Sequence, residues 1–495
     1  MAKQKSLKQK AAAGMVWTAL QKYSTMFISF ISGIVLARLL TPYDYGCIGM
    51  LAIFMTLAEA FIDGGFGSAL IQKKKPTQED YSTIFFWNIG MAVLMYGVLF
   101  FSAPAISRFY NTPLLCGVLR VQGLVLFIYA FNIVQRNQLK KKLNFKVLSI
   151  VTITTSIISL GITIFMAYKG FGVWALVAQN LITAAIPAIV FWFFIKWRPI
   201  WAFSWASFKE LFGFGFYMFL THLLNNFSTK IQGLLIGKVY SPSTMGYYSK
   251  ASGTESLASH SISSIMTQVT YPLYAEAQND FAQLTNMIKR LTTTIAYITF
   301  PLMFILILCA KPLFVLLYSD KWLQSIPYFQ VLCLAGLAGC LQSVNLQAIA
   351  AIGKSKTMFV WTIVKRMISL SAIVGGLFWF GMKGLLIGVV FNYWFSYIVN
   401  ISLVSKHVGY KWNQQILDLL PVAIVSIIAA LISYGIGYLL HLSMYPDGIV
   451  KFLVYVLVYL GWSFVFKPEA YTYFLTIIPA KFRFWEKNKR NKKNI

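Results

Sequence analysis

The sequence predicts an all-α integral membrane protein of about fourteen transmembrane helices. They form two six-helix lobes related by a pseudo-two-fold axis along the membrane normal, followed by two further helices at the C-terminus. Three observations carry this expectation. The 495 residues are 58% hydrophobic and only 12% charged, too apolar for the surface of a soluble chain of this length. Apolar stretches of about 20 residues, enough to cross about 30 Å of hydrocarbon as a helix, recur along the whole chain. Finally, GIVLARLLTPYDYG (Gly33 to Gly46) is echoed by GLLIGKVYSPSTMG (Gly233 to Gly246).

The spans are expected near residues 12–37, 45–67, 81–105, 114–134, 147–167 and 173–195 in the first half. They recur near 212–237, 244–272, 288–310, 326–350, 357–380 and 384–405 in the second, and 417–440 and 449–466 follow. The first span follows a basic stretch and outruns the apolar core of a signal peptide. No cleavage site succeeds it, so it reads as a helix of the protein itself. The second starts after Thr41-Pro42 and runs towards Gly64-Gly65; the eighth starts after Ser241-Pro242. The most polar stretches are the segment around Glu276–Arg290 and the tail after Lys481, neither long enough for a soluble domain.

The echo pairs Gly33 with Gly233, Ala37 with Gly237, Arg38 with Lys238, Thr41 with Ser241, Pro42 with Pro242 and Gly46 with Gly246. In each copy an apolar helix ends in a proline turn and another begins. A second echo pairs Gln135, Gly172 and Asn180 with Gln347, Gly384 and Asn392, at an offset longer by a modest insertion. The repeats therefore occupy 1–200 (N-lobe) and 201–410 (C-lobe). Residues 411–470 hold the two C-terminal helices and 471–495 a basic tail. Six helices per repeat is an even number, so both repeats enter the membrane from the same side, which places the axis along the normal and a cavity between the lobes. Duplicated apolar halves are the internal signature of transporter folds.

Net charge is +29. The position of the bases excludes a nucleic-acid reading. With the N-terminal Lys3, Lys5, Lys8 and Lys10 inside, alternating loops also place Lys73–Lys75, Arg136 with Lys140–Lys142, Lys196 with Arg198, Lys354 with Lys356, Lys406 with Lys411, and the tail from Lys481 to Lys493 inside. This is the positive-inside pattern, and it predicts both termini in the cytoplasm, with the basic loops against anionic membrane lipid. Cys47, Cys116, Cys309, Cys333 and Cys340 all sit in apolar contexts and form no CxxC, so they read as packing residues, neither disulfides nor metal ligands.

Charged groups deep in a span are costly and so mark function. Lys22 lies about ten residues into the first span, near mid-bilayer. The offset of the first echo matches it to His222, whose helix continues with Asn225, Asn226 and Lys230. Glu59 and Asp63 stand i, i+4 on one face. Glu255 and Arg366, the latter beside Lys365, are deep in their spans, and Gln342 and Asn345 add amides. For Lys22, Glu255 and Arg366 the choice lies between lining a cavity and forming a fixed intramembrane ion pair. Asp63, just before Gly64-Gly65, either ends its helix or takes part in transport; Lys230 and Lys365 either line the cavity or snorkel to the interface, His222 is either a packed, hydrogen-bonded histidine or a cavity group, and the amides either join helices or bind ligand. Nucleotide-binding and hydrolase motifs are absent (no P-loop, HExxH or GxSxG), which argues against an enzyme and against ATP drive within this chain. No cofactor is expected.

LARLLTPYDYGCIGM, followed by DGGFGSALIQKKKPTQEDYSTIFFWN (Asp63–Asn88), resembles the start of Wzx-type polysaccharide flippases of the multidrug/oligosaccharidyl-lipid/polysaccharide exporter superfamily. LLIGKVYSPSTMGYYSKA (Leu234–Ala251) and AKPLFVLLYSDKWLQSIPYFQVLCLAG (Ala310–Gly336) extend the resemblance, which runs from about Met15 to about Gly409 and is nearest the colanic-acid exporter branch. It implies two lobes alternating between inward and outward states in the bacterial inner membrane. The implied cargo is an undecaprenyl-pyrophosphate-linked oligosaccharide for capsule, exopolysaccharide or O-antigen, and the implied protein partners are a polysaccharide polymerase and glycosyltransferases. Relatives often carry an acid where this chain has Gln232; if that acid couples ion flow in them, coupling here falls to Glu255, Glu59 or Asp63, or the chain is coupled differently.

On this reading the substrate-binding residues are Lys22, His222, Asn225, Asn226, Lys230, Gln342, Asn345 and Arg366. The bases neutralise phosphates, and the amides replace water around sugar hydroxyls. A cation-coupled multidrug exporter is the alternative, disfavoured by the deep bases. A membrane-embedded polymerase is a further one, disfavoured by the short external loops. The charge pattern makes a direct prediction. A cysteine placed in the Lys140–Lys142 segment, on a background without reactive native cysteines, is expected to react with an impermeant thiol reagent only after cells are permeabilised; labelling in intact cells contradicts the topology.

Overall fold

The computed structural model describes residues 2–477, with the side chains of 2–12, 214, 260, 264–269, 271–272, 355 and 474–477 left out of that description. The N-terminal bases Lys3 to Lys10 and the tail from Lys481 to Lys493 therefore lie outside the described side chains. Every described element is helical: α1 (Ala2–Leu39), α2 (Pro42–Asp63), α3 (Phe66–Gln72), α4 (Gln78–Phe109), α5 (Leu114–Gln122), α6 (Leu124–Lys141), α7 (Phe145–Tyr168) and α8 (Val173–Phe194). There follow α9 (Trp205–Val239), α10 (Pro242–Glu276), α11 (Phe281–Leu308), α12 (Ala310–Tyr318), a 3-10 turn (Asp320–Ser325), α13 (Ile326–Ala351), α14 (Ser355–Val408), α15 (Trp412–Leu440), α16 (Met444–Phe466) and α17 (Glu469–Ile477).

Eleven described spans are long and apolar enough to cross a membrane. One of them, Lys356–Val408, is two crossings, because α14 breaks at Gly381 (φ 60, ψ −143), a conformation that only glycine adopts without strain. The more polar α9 and α10, 35 residues each, complete the expected fourteen. The sequence-based spans locate the helices but not their subdivisions. The span near 45–67 is α2 and α3 joined at Gly64-Gly65, and α5 stops at Gln122 before α6 begins at Leu124. The expected tail from 471 starts within α17, which packs on α11.

Local chemistry sets the helix starts. Thr41 and Asp44 form a reciprocal capping box: the Asp44 N–H donates to Thr41 Oγ1 (3.4 Å) and the Thr41 N–H to Asp44 Oδ2 (2.9 Å). Thr77 and Asp80 do the same at α4, at 3.1 and 2.8 Å. Ser241 Oγ accepts the Thr244 N–H at 3.2 Å at the start of α10. Pro42 and Pro242 occupy first-turn positions, where a missing N–H is harmless.

The packing divides into two compact units, one ending at Ser249 and the other beginning at Lys250. In the first, α9 lies against α2, α3 and α4 although by sequence it opens the second repeat. The segment leading into it is fastened to α4. Ser82 Oγ accepts the Ile200 N–H and Thr83 Oγ1 the Ser204 N–H, both at 3.0 Å, while Lys73 bridges Asp80 (3.0 Å) and Glu210 (2.8 Å). In the second unit α11 packs on α13, α15, α16 and α17. Tyr297 donates to Ser463 Oγ at 2.8 Å and accepts at its carbonyl from Tyr459 at 2.9 Å, giving a polar seam within an apolar contact.

The two echoed turns meet within the first unit. A Cβ on Gly46 would lie 1.7 Å from the Pro242 carbonyl oxygen, and one on Gly246 would lie 1.8 Å from that of Pro42. The contact is reciprocal, as a two-fold relation between the repeats requires, and it explains why both final glycines of the echo are glycine. Alanine in a helix normally stabilises by up to about 1 kcal/mol over glycine. Gly46→Ala is nevertheless expected to lower the melting temperature of the purified protein, because overpacking costs about 1–3 kcal/mol. Gly90→Ala, where no atom lies within 4 Å, is expected to leave it unchanged or raised. Equal effects of the two would contradict the contact.

Candidate functional site

On α6, Tyr129, Asn132, Arg136 and Lys140 follow one another at three- and four-residue steps, and so share a face. On α2, Thr56, Glu59 and Asp63 do the same. These faces border two adjoining cavities in the first unit. The larger, 660 Å³, is lined by Glu59, Tyr129, Asn132, Arg136 and Lys140, with Thr18 and Gln21 of α1 and Asn180 and Thr183 of α8. The smaller, 180 Å³, shares Tyr129, Asn132, Arg136 and Lys140 and adds Asp63 and Asn137.

Two carboxylates thus face two bases across open space. None of the ion pairs in the described residues joins them: those pairs are Lys73 with Asp80 and Glu210, Lys289 with Asp418, Arg290 with Glu469, and Lys451 with Asp447. Charge that no ion pair satisfies, bordering an open cavity, is available to a charged ligand. Asp63 has a second role. Its carboxylate accepts the backbone N–H groups of Gly65 and Gly67, so it closes α2 and caps α3, while His222 and Lys140 lie within electrostatic reach of it. The alternatives for Asp63, helix end or cavity group, are therefore not exclusive. Gly67 leaves the room: a Cβ there would lie 2.8 Å from Asp63 Oδ1 and 2.9 Å from Asn137 Nδ2.

The other sequence-selected residues scatter. Lys22 is half-buried on α1, next to the cavity-lining Gln21 but not itself among the residues lining the cavity. On α9, His222 and Lys230 are exposed and Asn225 and Asn226 half-buried; the carbonyls of both asparagines are approached by Thr229 Oγ1, at 3.0 and 3.1 Å. Gln232 Oε1 accepts from Tyr248 OH at 3.1 Å, a structural bond at the position where the resemblance led us to look for an acid.

In the second unit Glu255 sits beside Ser259 and against Gly336, where a Cβ would meet Glu255 Oε1. Glu255 and Arg366 both act electrostatically on Tyr393, whose carbonyl accepts from Gln342 Nε2 at 2.8 Å. Asn345 is fully buried, and neither of its amide atoms has a hydrogen-bond partner. Lys365 is held by Asn400 Oδ1 at 2.7 Å, inside the protein and not at the interface.

Sequence reasoning missed Arg136 and Lys140 as site residues, since the positive-inside pattern accounted for them. Their four-residue spacing from Asn132 was the available signal. It also missed Lys250, buried with its Nζ 3.9 Å from the Tyr318 ring centroid and 5.6 Å from that of Trp322.

Comparison with known proteins places these features. Residues 35–327 match a family described as "Polysaccharide biosynthesis protein". The lipopolysaccharide biosynthesis protein WzxC of Escherichia coli is 24% identical over 88% of this chain and 89% of its own. The teichuronic acid biosynthesis protein TuaB of Bacillus subtilis is 24% identical over 72% of this chain and 74% of its own. The succinoglycan biosynthesis transport protein ExoT of Rhizobium meliloti is 23% identical over 80% and 78%. Among solved structures, the lipid II flippase MurJ in an inward closed conformation superposes with a TM-score of 0.73 at 16% identity, covering 91% of this chain and 98% of that one. An inward-facing multidrug resistance transporter of the MATE family superposes with 0.62 at 15% identity, covering 80% and 98%. The chain thus shares the fold of these two transporters.

The absence of direct pairing yields a test. Removing one partner of a buried ion pair strands the other, at a cost of about 3–5 kcal/mol. Asp80→Asn, which takes the buried carboxylate from Lys73 and leaves it only the exposed Glu210, is expected to lower the amount of protein in the membrane. Glu59→Gln and Arg136→Gln are expected to keep it within roughly twofold of the unmodified chain. Depletion by either of the latter, measured by quantitative immunoblot, contradicts the geometry.

Proposed function

The chain belongs to the polysaccharide biosynthesis protein family, and we propose that within it this protein is a flippase for lipid-linked oligosaccharide. In this reading it carries undecaprenyl-pyrophosphate-linked units across the bacterial inner membrane by alternating access, with both termini in the cytoplasm. It is a transporter and not an enzyme, and it feeds surface polysaccharide assembly alongside a polymerase and glycosyltransferases. The observation that carries the reading is the 660 Å³ cavity in which Arg136 and Lys140 face Glu59 with no ion pair between them. A pyrophosphate and a string of sugars need both anion-binding and hydroxyl-binding groups to leave water, and the cavity wall offers bases and amides together.

Roles follow from chemistry. Arg136 and Lys140 are the bases that neutralise phosphate in this cavity; Lys22, beside it, and Arg366, in the second unit, are proposed as further phosphate-binding bases, each within its own unit. His222, Asn225, Asn226, Lys230, Gln342 and Asn345 supply polar contacts to sugar. Glu59, Asp63 and Glu255 are the coupling candidates: a carboxylate in a cavity that changes sides exchanges its cation or proton with each compartment in turn. An organic-cation exporter is less well served, since two bases on the cavity wall repel a cation.

Reconstituted protein, supplied with a lipid-linked oligosaccharide and assayed for translocation in proteoliposomes, tests the proposal. Arg136→Gln with Lys140→Gln is expected to reduce the initial rate at least about tenfold, the loss of one charge-assisted contact or more. Glu59→Gln is expected to abolish the response to an imposed ion gradient while leaving downhill movement. Full translocation by the double variant would overturn the assignment of the bases. An unaltered gradient response in Glu59→Gln, Asp63→Asn and Glu255→Gln alike would overturn that of the acids.

A further inference from the structure

The two halves of α14 lie side by side about the Gly381 break, and their far ends border a further cavity of 310 Å³, in the second unit and apart from the site above. Its wall is mainly apolar, built from Trp361, Ile398, Val399 and Leu403 with the hydroxyls of Thr357 and Ser402, and its rim carries Lys406 and His407. Lys354, at the start of α14, lies with Lys406 within electrostatic reach of His407. Three nitrogen bases thus gather at the mouth of an apolar groove.

The carboxylates that pair in this unit are committed elsewhere. Asp418 takes Lys289 at 2.9 Å and the Tyr410 hydroxyl, Glu469 takes Arg290, and Asp447 takes Lys451. None of these pairs includes Lys354, Lys406 or His407. The second echo sets part of this rim apart: Lys354 has a base, Lys142, as its counterpart in the first copy, but Lys406 and His407 have none. At the same offset Lys406 and His407 correspond to Phe194 and Ile195, which close α8 with apolar side chains.

We propose that this groove is a binding site for an anionic phospholipid of the leaflet that borders the basic loops. Its phosphate would lie among Lys354, Lys406 and His407, and one acyl chain would lie along Trp361 and Leu403. The charge identifies the head group: two lysines with no paired acid favour a net negative lipid such as phosphatidylglycerol over a zwitterionic one, whose ammonium they repel. The apolar wall identifies the chain, which distinguishes a lipid from a free phosphate. The inference is independent of the proposed cargo and holds whatever the larger cavity carries.

The experiment uses the full-length protein in detergent with a phosphatidylglycerol bearing a photoactivatable group in its acyl chain. Cross-links are expected in peptides that contain Trp361 or Ile398–Leu403. Unlabelled phosphatidylglycerol is expected to suppress them at least about fivefold better than phosphatidylcholine, one base being enough for that ratio. Lys354→Gln with Lys406→Gln should remove the preference while a residual, head-group-independent cross-link remains. Trp361→Ala should lower total cross-linking and keep the preference. Equal suppression by the two lipids on the unmodified protein would overturn the proposal without any variant. So would an unchanged preference in the double lysine variant that elutes as a single monodisperse peak, or cross-links confined to other helices.

Discussion

Hydrocarbon cannot hydrogen-bond, and that single constraint orders this protein. It forces every described crossing to be helical, since only a helix satisfies its own backbone inside one segment. It governs the hydroxyls, which bond back to their own helices: Thr56 to the Ala52 carbonyl at 2.8 Å, Thr152 to Leu148 at 2.7 Å, Ser433 to Ala429 at 2.6 Å. It also sorts the charges. Several away from the cavity are matched inside the protein: Lys73 with Asp80, Lys451 with Asp447 at 2.6 Å, Lys365 with Asn400, Lys250 with the Tyr318 ring. Glu59, Arg136 and Lys140 have no such match, and they line the largest described cavity. The contrast between matched and unmatched charge is what separates scaffold from site.

The duplicated architecture adds a second layer. The reciprocal approach of the Pro42 and Pro242 turns through Gly46 and Gly246 is a symmetric contact, yet the turns are chemically unequal. In the first, Thr41 pairs with Asp44, buried and touching the Gly172 position; in the second, Ser241 meets the neutral Thr244, hydroxyl to hydroxyl at 3.0 Å. Beyond the turns, Met50 of the first copy, whose carbonyl accepts from Tyr110 at 3.3 Å, has Lys250 as its counterpart. The cavity with its acids lies in the first unit and the basic groove in the second. Duplication supplied the frame, and divergence at a few positions supplied different chemistry in each half.

Much of this frame was legible in the sequence. Hydrophobic runs located the crossings because burial in lipid is a property of a segment, read without knowing its neighbours. The proline turns were legible for a similar reason, since a capping residue, a proline and a glycine act locally. Breaks such as Gly123 and Gly381, by contrast, depend on how the flanking helices pack. The site was legible only in part. Glu59 and Asp63 stood out because acids in a span are rare. Arg136 and Lys140 did not, because bases at a span end have an ordinary explanation, and only the facing of α6 towards α2 gives them another. Pairing of faces is a tertiary fact that no single-helix pattern contains, which is also why Lys22, equally prominent in sequence, sits beside the cavity wall and not in it.

The central claim is that charge left unmatched by the protein is there for the cargo. The most direct measurement is an experimental structure of the protein in lipid nanodiscs loaded with a lipid-linked oligosaccharide. The account predicts phosphate density within hydrogen-bonding distance of the Arg136 guanidinium and the Lys140 ammonium. Cargo phosphates bound elsewhere, with the cavity bordered by Glu59, Arg136 and Lys140 holding only water, would contradict it.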